Sequence, residues 1–180
     1  KFIDEHPDFS YKGAKAIIAL TGYNGIFGYR TAPSYSENPT YEEDKKKATE
    51  IANALRADGW ELASHSWGHR HLGKESDEAF KTDCDKWQNE VETLIGETDI
   101  LIFPFGTDIG SWHPYTDENA RYVYLKDQGF RYFCNVDSSA PYWVQIGKDF
   151  MRQGRRNLDG YRMLRDIQEP DNAKLKDLFD

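Results

Sequence analysis

Apolar positions along this chain fall into short runs and helical stripes, and the two alternate. Ala14–Leu20 (AKAIIAL) is an apolar run bounded by Gly13 and Gly22, the pattern of a buried strand. Gly22, Asn24, Gly25 and Gly28 then mark a turn-rich loop. Ala48, Ile51, Ala52 and Leu55 form a stripe at helical spacing. Thr40-x-x-Glu43 opens it as a capping box, and Gly59 closes it. Trp60–Ser64 reads as the next strand. Phe80, Cys84, Trp87, Val91 and Leu94 then share one face of a helix predicted over Asp77–Ile95 and ended by Gly96. Asp99–Phe103 is a strand broken by Pro104. A helix follows over Glu118–Gln128, and Phe130–Val136 is a further strand. Beyond Ser138 the pattern predicts a strand near Asp149–Arg152, a helical turn over Leu158–Arg165 and a helical tail. Lys1–Lys12 reads as a helix end or loop, with Pro7 as a breaker.

Strand and helix therefore take turns, which argues for right-handed βαβ units and a parallel sheet or barrel, an α/β fold. No repeat or linker divides the 180 residues, so residues 1–180 are expected to form a single domain. Aromatic residues make up 14% of the chain, enough for a packed core despite a mean hydropathy of -0.81. Lys and Arg number 23 against 31 Asp and Glu, a net charge of -8. That field repels phosphate backbones and anionic membrane surfaces, so nucleic acid is not an expected partner. No apolar run approaches the ~18 residues that a membrane span needs. Cys84 and Cys134 are too few for a disulfide framework and read as reduced core residues. The chain begins at Lys1 with neither an initiator Met nor a secretory signal, and reads as a processed or partial chain.

Chemistry in such folds gathers beyond the carboxyl ends of the strands. The strand Trp60–Ser64 runs into His65-Ser66-Trp67-Gly68-His69. Two imidazoles separated by three residues on a tight loop can share one divalent metal. Polar loop histidines are the plainer reading, and His71 shows that histidines cluster here in any case.

Gly59-Trp60-Glu61-Leu62-Ala63-Ser64-His65-Ser66-Trp67-Gly68-His69 resembles the histidine motif of the polysaccharide deacetylases, carbohydrate esterase family 4. Ala14–Gly22 is similar to that family's second strand. Phe103-Pro104-Phe105-Gly106 is similar to its Arg-x-Pro-aromatic-Gly loop. Val136-Asp137-Ser138 falls where the family carries an Asp-Ser segment, with Trp143 matching a Trp beyond it. The resemblance covers roughly residues 14–143. It implies a distorted (β/α) barrel and a metal-dependent N-deacetylase, located outside the cell or at its surface. The substrate would be an N-acetylated polysaccharide or oligosaccharide, chitin-like or peptidoglycan-like. The metal, zinc in the usual case, would be held by His65, His69 and an Asp. The backbone N–H of Phe105 would be the oxyanion donor, Asp137 would take a catalytic part, and Trp67, Pro104, Gly106 and Trp143 would line the substrate site.

Three features depart from the family's pattern. The Asp-Asp pair of its first strand has no counterpart, Asp4-Glu5 being the nearest acidic pair, which is simplest if that strand lies upstream of Lys1. Ile102 stands where the family has an Arg that orients the base. No His follows His113, whereas the family carries a late His as proton donor. Asp4, Asp108 and Asp137 are the candidates for a third metal ligand. These departures sustain a second reading, a glycan-binding or structural relative that kept the fold and lost the catalytic residues. A third is an unrelated α/β domain with incidental histidines. Among the remaining residues, Trp67, Phe105, Tyr142 and Trp143 could stack on sugar rings or simply pack the rim. His113 reads as a solvated loop residue, and Asp137 equally as a turn former before Ser138-Ser139. Arg155-Arg156 reads as a surface basic pair, or as a site for a carboxylate-bearing sugar.

Overall fold

The apolar runs become parallel strands, their best-buried side chains packed under the helices on one face of the sheet. In the computed structural model, which describes residues 2–111, 113–136, 143–156 and 158–170, a helical turn α1 (Phe2–Glu5) and two short 3-10 turns lead into β1 (Ile17–Leu20). Then come α2 (Tyr41–Ala57), β2 (Glu61–Ser64) and α3 (Asp77–Trp87), which runs through a π-helical stretch (Gln88–Glu92) into α4 (Thr93–Ile95). β3 (Ile100–Ile102), α5 (Ala120–Asp127), β4 (Tyr132–Val136), β5 (Val144–Ile146), β6 (Met151–Arg155) and α6 (Gly160–Gln168) complete the order. The strands form one six-stranded sheet in the order β1-β2-β3-β4-β6-β5. Every pairing is parallel except β5 with β6. This is the mixed α/β architecture that the alternation of strands and helices predicted. Among the described residues no pairing joins β1 to β5.

α2, α3, α4 and α5 pack on one face of the sheet and make the main core there. Leu20, Leu62, Leu101, Phe103 and Phe133 of the sheet pack with Phe80, Trp87 and Val91, and with Tyr122 and Leu125 of α5. Removing such side chains from water contributes roughly 1.5–3 kcal/mol each. The opposite face carries a small cluster of Ala63, Ile100, Ile102 and Cys134. A shallow cavity of about 470 Å³ opens there, lined among others by Ile17, Glu61, Ile100, Tyr132, Cys134 and Gln153. Strand alternation places Glu61, Ala63 and His65 on this side of β2, and Met151, Gln153 and Arg155 on this side of β6.

The helix ends differ in how closely they follow the sequence signals. Ser76 and Asn119 cap α3 and α5, their side chains accepting from the N–H of Ala79 and from those of Arg121 and Tyr122. Thr40 does not cap α2: its backbone (φ -95°, ψ 0°) is not extended, and its hydroxyl turns to Asp44 at 3.4 Å. Gly59 and Gly96 close α2 and α4 at φ 87° and 81°, where a side chain would be strained. The predicted strand near residue 150 is β6, and β5 is an additional edge strand.

Candidate functional site

The site is assembled at the carboxyl ends of β2 and β3. His65 extends the β2 ladder, its N–H donating to the carbonyl of Leu20 at 2.8 Å. Its half-buried ring sets Nδ1 2.6 Å from the carbonyl oxygen of Ile102. A carbonyl only accepts, so Nδ1 carries the hydrogen and Nε2 keeps a free lone pair. Burial pushes the His65 pKa below the ordinary imidazole value; the Ile102 carbonyl opposes this, and His69 and Arg155 add to it. Burial thus favours the neutral ring, the charge state a metal requires, and the Ile102 bond favours the Nδ1–H tautomer.

His69 is exposed and sits at φ 53°, with its ring centroid 4.9 Å from that of His65 and the planes 58° apart. The left-handed turn is held from beneath. Asp83 of α3 is buried, and its carboxylate accepts from the N–H of Trp67 and of Gly68, both at 2.8 Å. Burial raises its pKa, against the lowering effect of those two N–H groups. Ser66 Oγ accepts from the N–H of Arg70 at 2.9 Å, and the Trp67 carbonyl accepts from Gly22 and Tyr23. Sequence reasoning found the two histidines but not Asp83, whose signal is only a polar residue on the buried face of α3.

The Phe103-Pro104-Phe105-Gly106 turn faces the histidines. Phe105 lies at φ 56° with an exposed ring, edge-on to His69 at 4.6 Å and stacked on His71 at 4.0 Å. The turn's two backbone bonds run from Gly106 to Phe103 and from Thr107 to Pro104, so neither uses the Phe105 N–H. Gly106 is at φ 66°, and a Cβ there would lie 2.6 Å from Val136 Cβ. Gly106 is thus required by packing against β4, and Pro104 is buried.

The other expected site residues have structural partners. Trp67 donates Nε1–H to Glu90 at 2.6 Å, carries the Lys86 ammonium 4.2 Å over its ring, and packs on Gly22. Trp143 packs on Gly154, with the Arg152 guanidinium 5.6 Å from its ring. Asp108 is held by Arg152 Nη1 at 2.8 Å and by the Tyr115 hydroxyl, a buried pairing that occupies both carboxylate oxygens. Asp4 is exposed on α1. Asp137 and Tyr142 lie outside the described residues. His113 is exposed, and Cys84 and Cys134 are buried and free, as expected. Arg155 is not the surface residue its sequence suggested. It is half-buried and donates through Nη2 to the Phe103 carbonyl at 2.9 Å.

The two imidazoles fit a borderline divalent ion such as zinc in ligand type, and the His65 bond to Ile102 leaves its Nε2 to such an ion. No set of three His, Cys, Asp or Glu ligands comes together among the described residues.

The family model for polysaccharide deacetylases matches residues 13–132, and the chain belongs to that family. A solved crystal structure, described as that of a candidate polysaccharide deacetylase from Mycobacterium smegmatis, aligns at 13% identity and a TM-score of 0.38. The alignment takes in 81% of this chain and 60% of that one, so this chain spans less than two thirds of its length. No curated protein matches the chain significantly. No helix of the described residues is long and apolar enough to cross a membrane.

Proposed function

We propose that residues 1–180 form a single domain that removes acetyl groups from N-acetylated amino sugars of an extracellular or cell-surface polysaccharide, chitin-like or peptidoglycan-like. His65 and His69 would hold the metal, zinc in this reading. The observation that carries the proposal is the His65–Ile102 bond, which fixes Nδ1 as the donor and leaves Nε2 for a metal beside His69. The bound ion would supply Lewis acidity toward the acetamide carbonyl and a water acidic enough to attack. In the reaction, water adds to the carbonyl carbon and the C–N bond breaks. Acetate leaves, and the nitrogen takes up a proton to become the free amine. His65 contributes a ring oriented by the Ile102 carbonyl. Phe105 contributes a backbone N–H, free of its own turn, for the oxyanion that develops on the carbonyl oxygen. Phe105 and His71 form a stacked wall against which a sugar ring can lie.

A zinc titration by calorimetry tests this reading, with His65→Ala as the comparison. One-to-one binding lost in the variant is the expected result, and equal binding by both proteins rejects it. A second reading, a glycan-binding relative without catalysis, is favoured by Ile102 in place of the family's arginine. It expects glycan binding with no zinc-dependent release of acetate.

A further inference from the structure

β3 ends between two charged or polar side chains that reach it from neighbouring strands. His65 follows β2 and bonds the Ile102 carbonyl, while Arg155 ends β6 and bonds the next one, that of Phe103. To do so, the Arg155 side chain crosses β4, whose Val136 is its register partner. Both groups thus converge on the residues immediately before the Phe105 turn. Arg56 and Arg131 each donate to two or more carbonyls. Arg152 pairs with Asp108, Arg121 with Asp77 and Arg70 with Glu75. Arg155 has no carboxylate partner among the described residues, and its Nε is buried without a hydrogen-bond partner. Among the described residues this half-buried guanidinium is committed to a single carbonyl, through Nη2. Such a cation, partly stripped of water and without a counter-ion, favours a planar anion that the fork can grip.

We propose that Arg155 forms an anion subsite beside His65 that takes a carboxylate. This rests on the reading of the His65 side of the sheet as the substrate pocket. Two sources carry that chemistry: the acetate that deacetylation releases, and an acidic substituent on the amino sugar itself, such as a lactyl ether. Either would lie against the end of β3, within the field of the same guanidinium. No proton or electron moves in this step, which is binding and orientation. Arg155 is in this sense a positioning residue.

The test is an NMR titration of the full, zinc-free chain with sodium acetate, acetamide, N-acetylmuramate and N-acetylglucosamine, following the His65 ring signals. Saturable shifts with the two carboxylates, at concentrations about tenfold or more below any that the two neutral compounds need, are expected. Arg155→Met should weaken carboxylate binding about tenfold or more, and Arg155→Lys should fall between, because a point charge replaces a fork. Preference for N-acetylmuramate over acetate assigns the subsite to the sugar, and the reverse assigns it to the product. Equal carboxylate binding by wild type and a folded Arg155→Met or Arg155→Lys protein overturns the proposal, as does the absence of saturable carboxylate binding by wild type. Zinc affinity on the same samples answers the other question separately. A wild type that binds carboxylate but no zinc rejects the metal reading and leaves the subsite standing.

Discussion

His65 Nδ1 lies 2.6 Å from the carbonyl oxygen of Ile102, so a ring at the end of one strand is aimed by the backbone of its neighbour. The partner is a main-chain atom, and the side chain at position 102 is free to vary as long as β3 forms. Ile102→Val should therefore leave zinc affinity within about twofold, while His65→Ala should lower it by about a hundredfold or more. Calorimetry on both variants checks the pair.

The same burial sets a pH dependence. The His65 pKa is lowered from the usual 6.5 chiefly by burial. The unfolded chain then binds the proton more readily than the folded one. The associated stability is present above the ordinary imidazole value and is lost as pH falls through the folded one. Urea midpoints measured from pH 7.5 down to 5 should decline more steeply in wild type than in His65→Gln. Zinc affinity should weaken over the same window, because the proton and the metal compete for one lone pair.

Asp83 holds the histidine loop by two backbone N–H groups at once. Asp83→Ala would orphan both, at about 1–3 kcal/mol for each buried donor. It should also loosen His69, with a loss of about ten- to a hundredfold in zinc affinity. Asp83→Asn keeps one acceptor oxygen and should cost about half as much stability. Chemical denaturation combined with zinc titration separates this from a purely local effect: a variant that loses stability but keeps wild-type zinc affinity would contradict the positioning role.

Gly106 combines a left-handed backbone with a close approach to β4. Gly106→Ala places a methyl group 2.6 Å from Val136 Cβ at φ 66°. The expected destabilisation is about 2–4 kcal/mol, strain and steric overlap together. Urea unfolding measures it directly.

Asp108 was one of the acidic residues from which a third metal ligand might have come, and the fold uses it otherwise. It pairs with Arg152, which is only 2% exposed. Asp108→Ala should cost about 3–5 kcal/mol, because it strands a buried cation. Zinc affinity of the folded fraction should stay unchanged. A drop in zinc stoichiometry in a still-folded Asp108→Ala protein would return Asp108 to the metal site.

Most of the architecture was legible because its signals are periodic. The stripe Ala48, Ile51, Ala52, Leu55 and the run at 14–20 each carry their own period, and the helix and strand appear where expected. What escaped was decided by three-dimensional context. Thr40 has the right residue type for a cap, but the chain entering α2 is already turned, so the hydroxyl meets Asp44 instead. β5 is three residues long at the sheet edge, with Val144 and Ile146 58% and 77% exposed, and it offers almost no burial pattern to read. The two histidines were visible because both come from one loop. Arg155 was legible only as half of a basic pair, because its bond to Phe103 depends on crossing β4, and a doublet of arginines in sequence says nothing of which side of a sheet each one takes. Alternation along Met151–Arg155 was the available clue, once that stretch is known to be a strand.

The π-helical stretch Gln88–Glu92 sits midway along the rod from Asp77 to Ile95. Its wider turn holds one more residue than an α-helical turn would, so it shifts the angular phase of everything that follows. Upstream of it, Asp83 serves the histidine loop; within it, Glu90 meets Trp67; beyond it, the Ile95 carbonyl accepts from Arg56. A homologue one residue shorter here would carry an unbroken α-helix whose two halves no longer point at both clients. The length of this segment, more than the identity of its residues, therefore couples the loop that bears the histidines to the packing of α2.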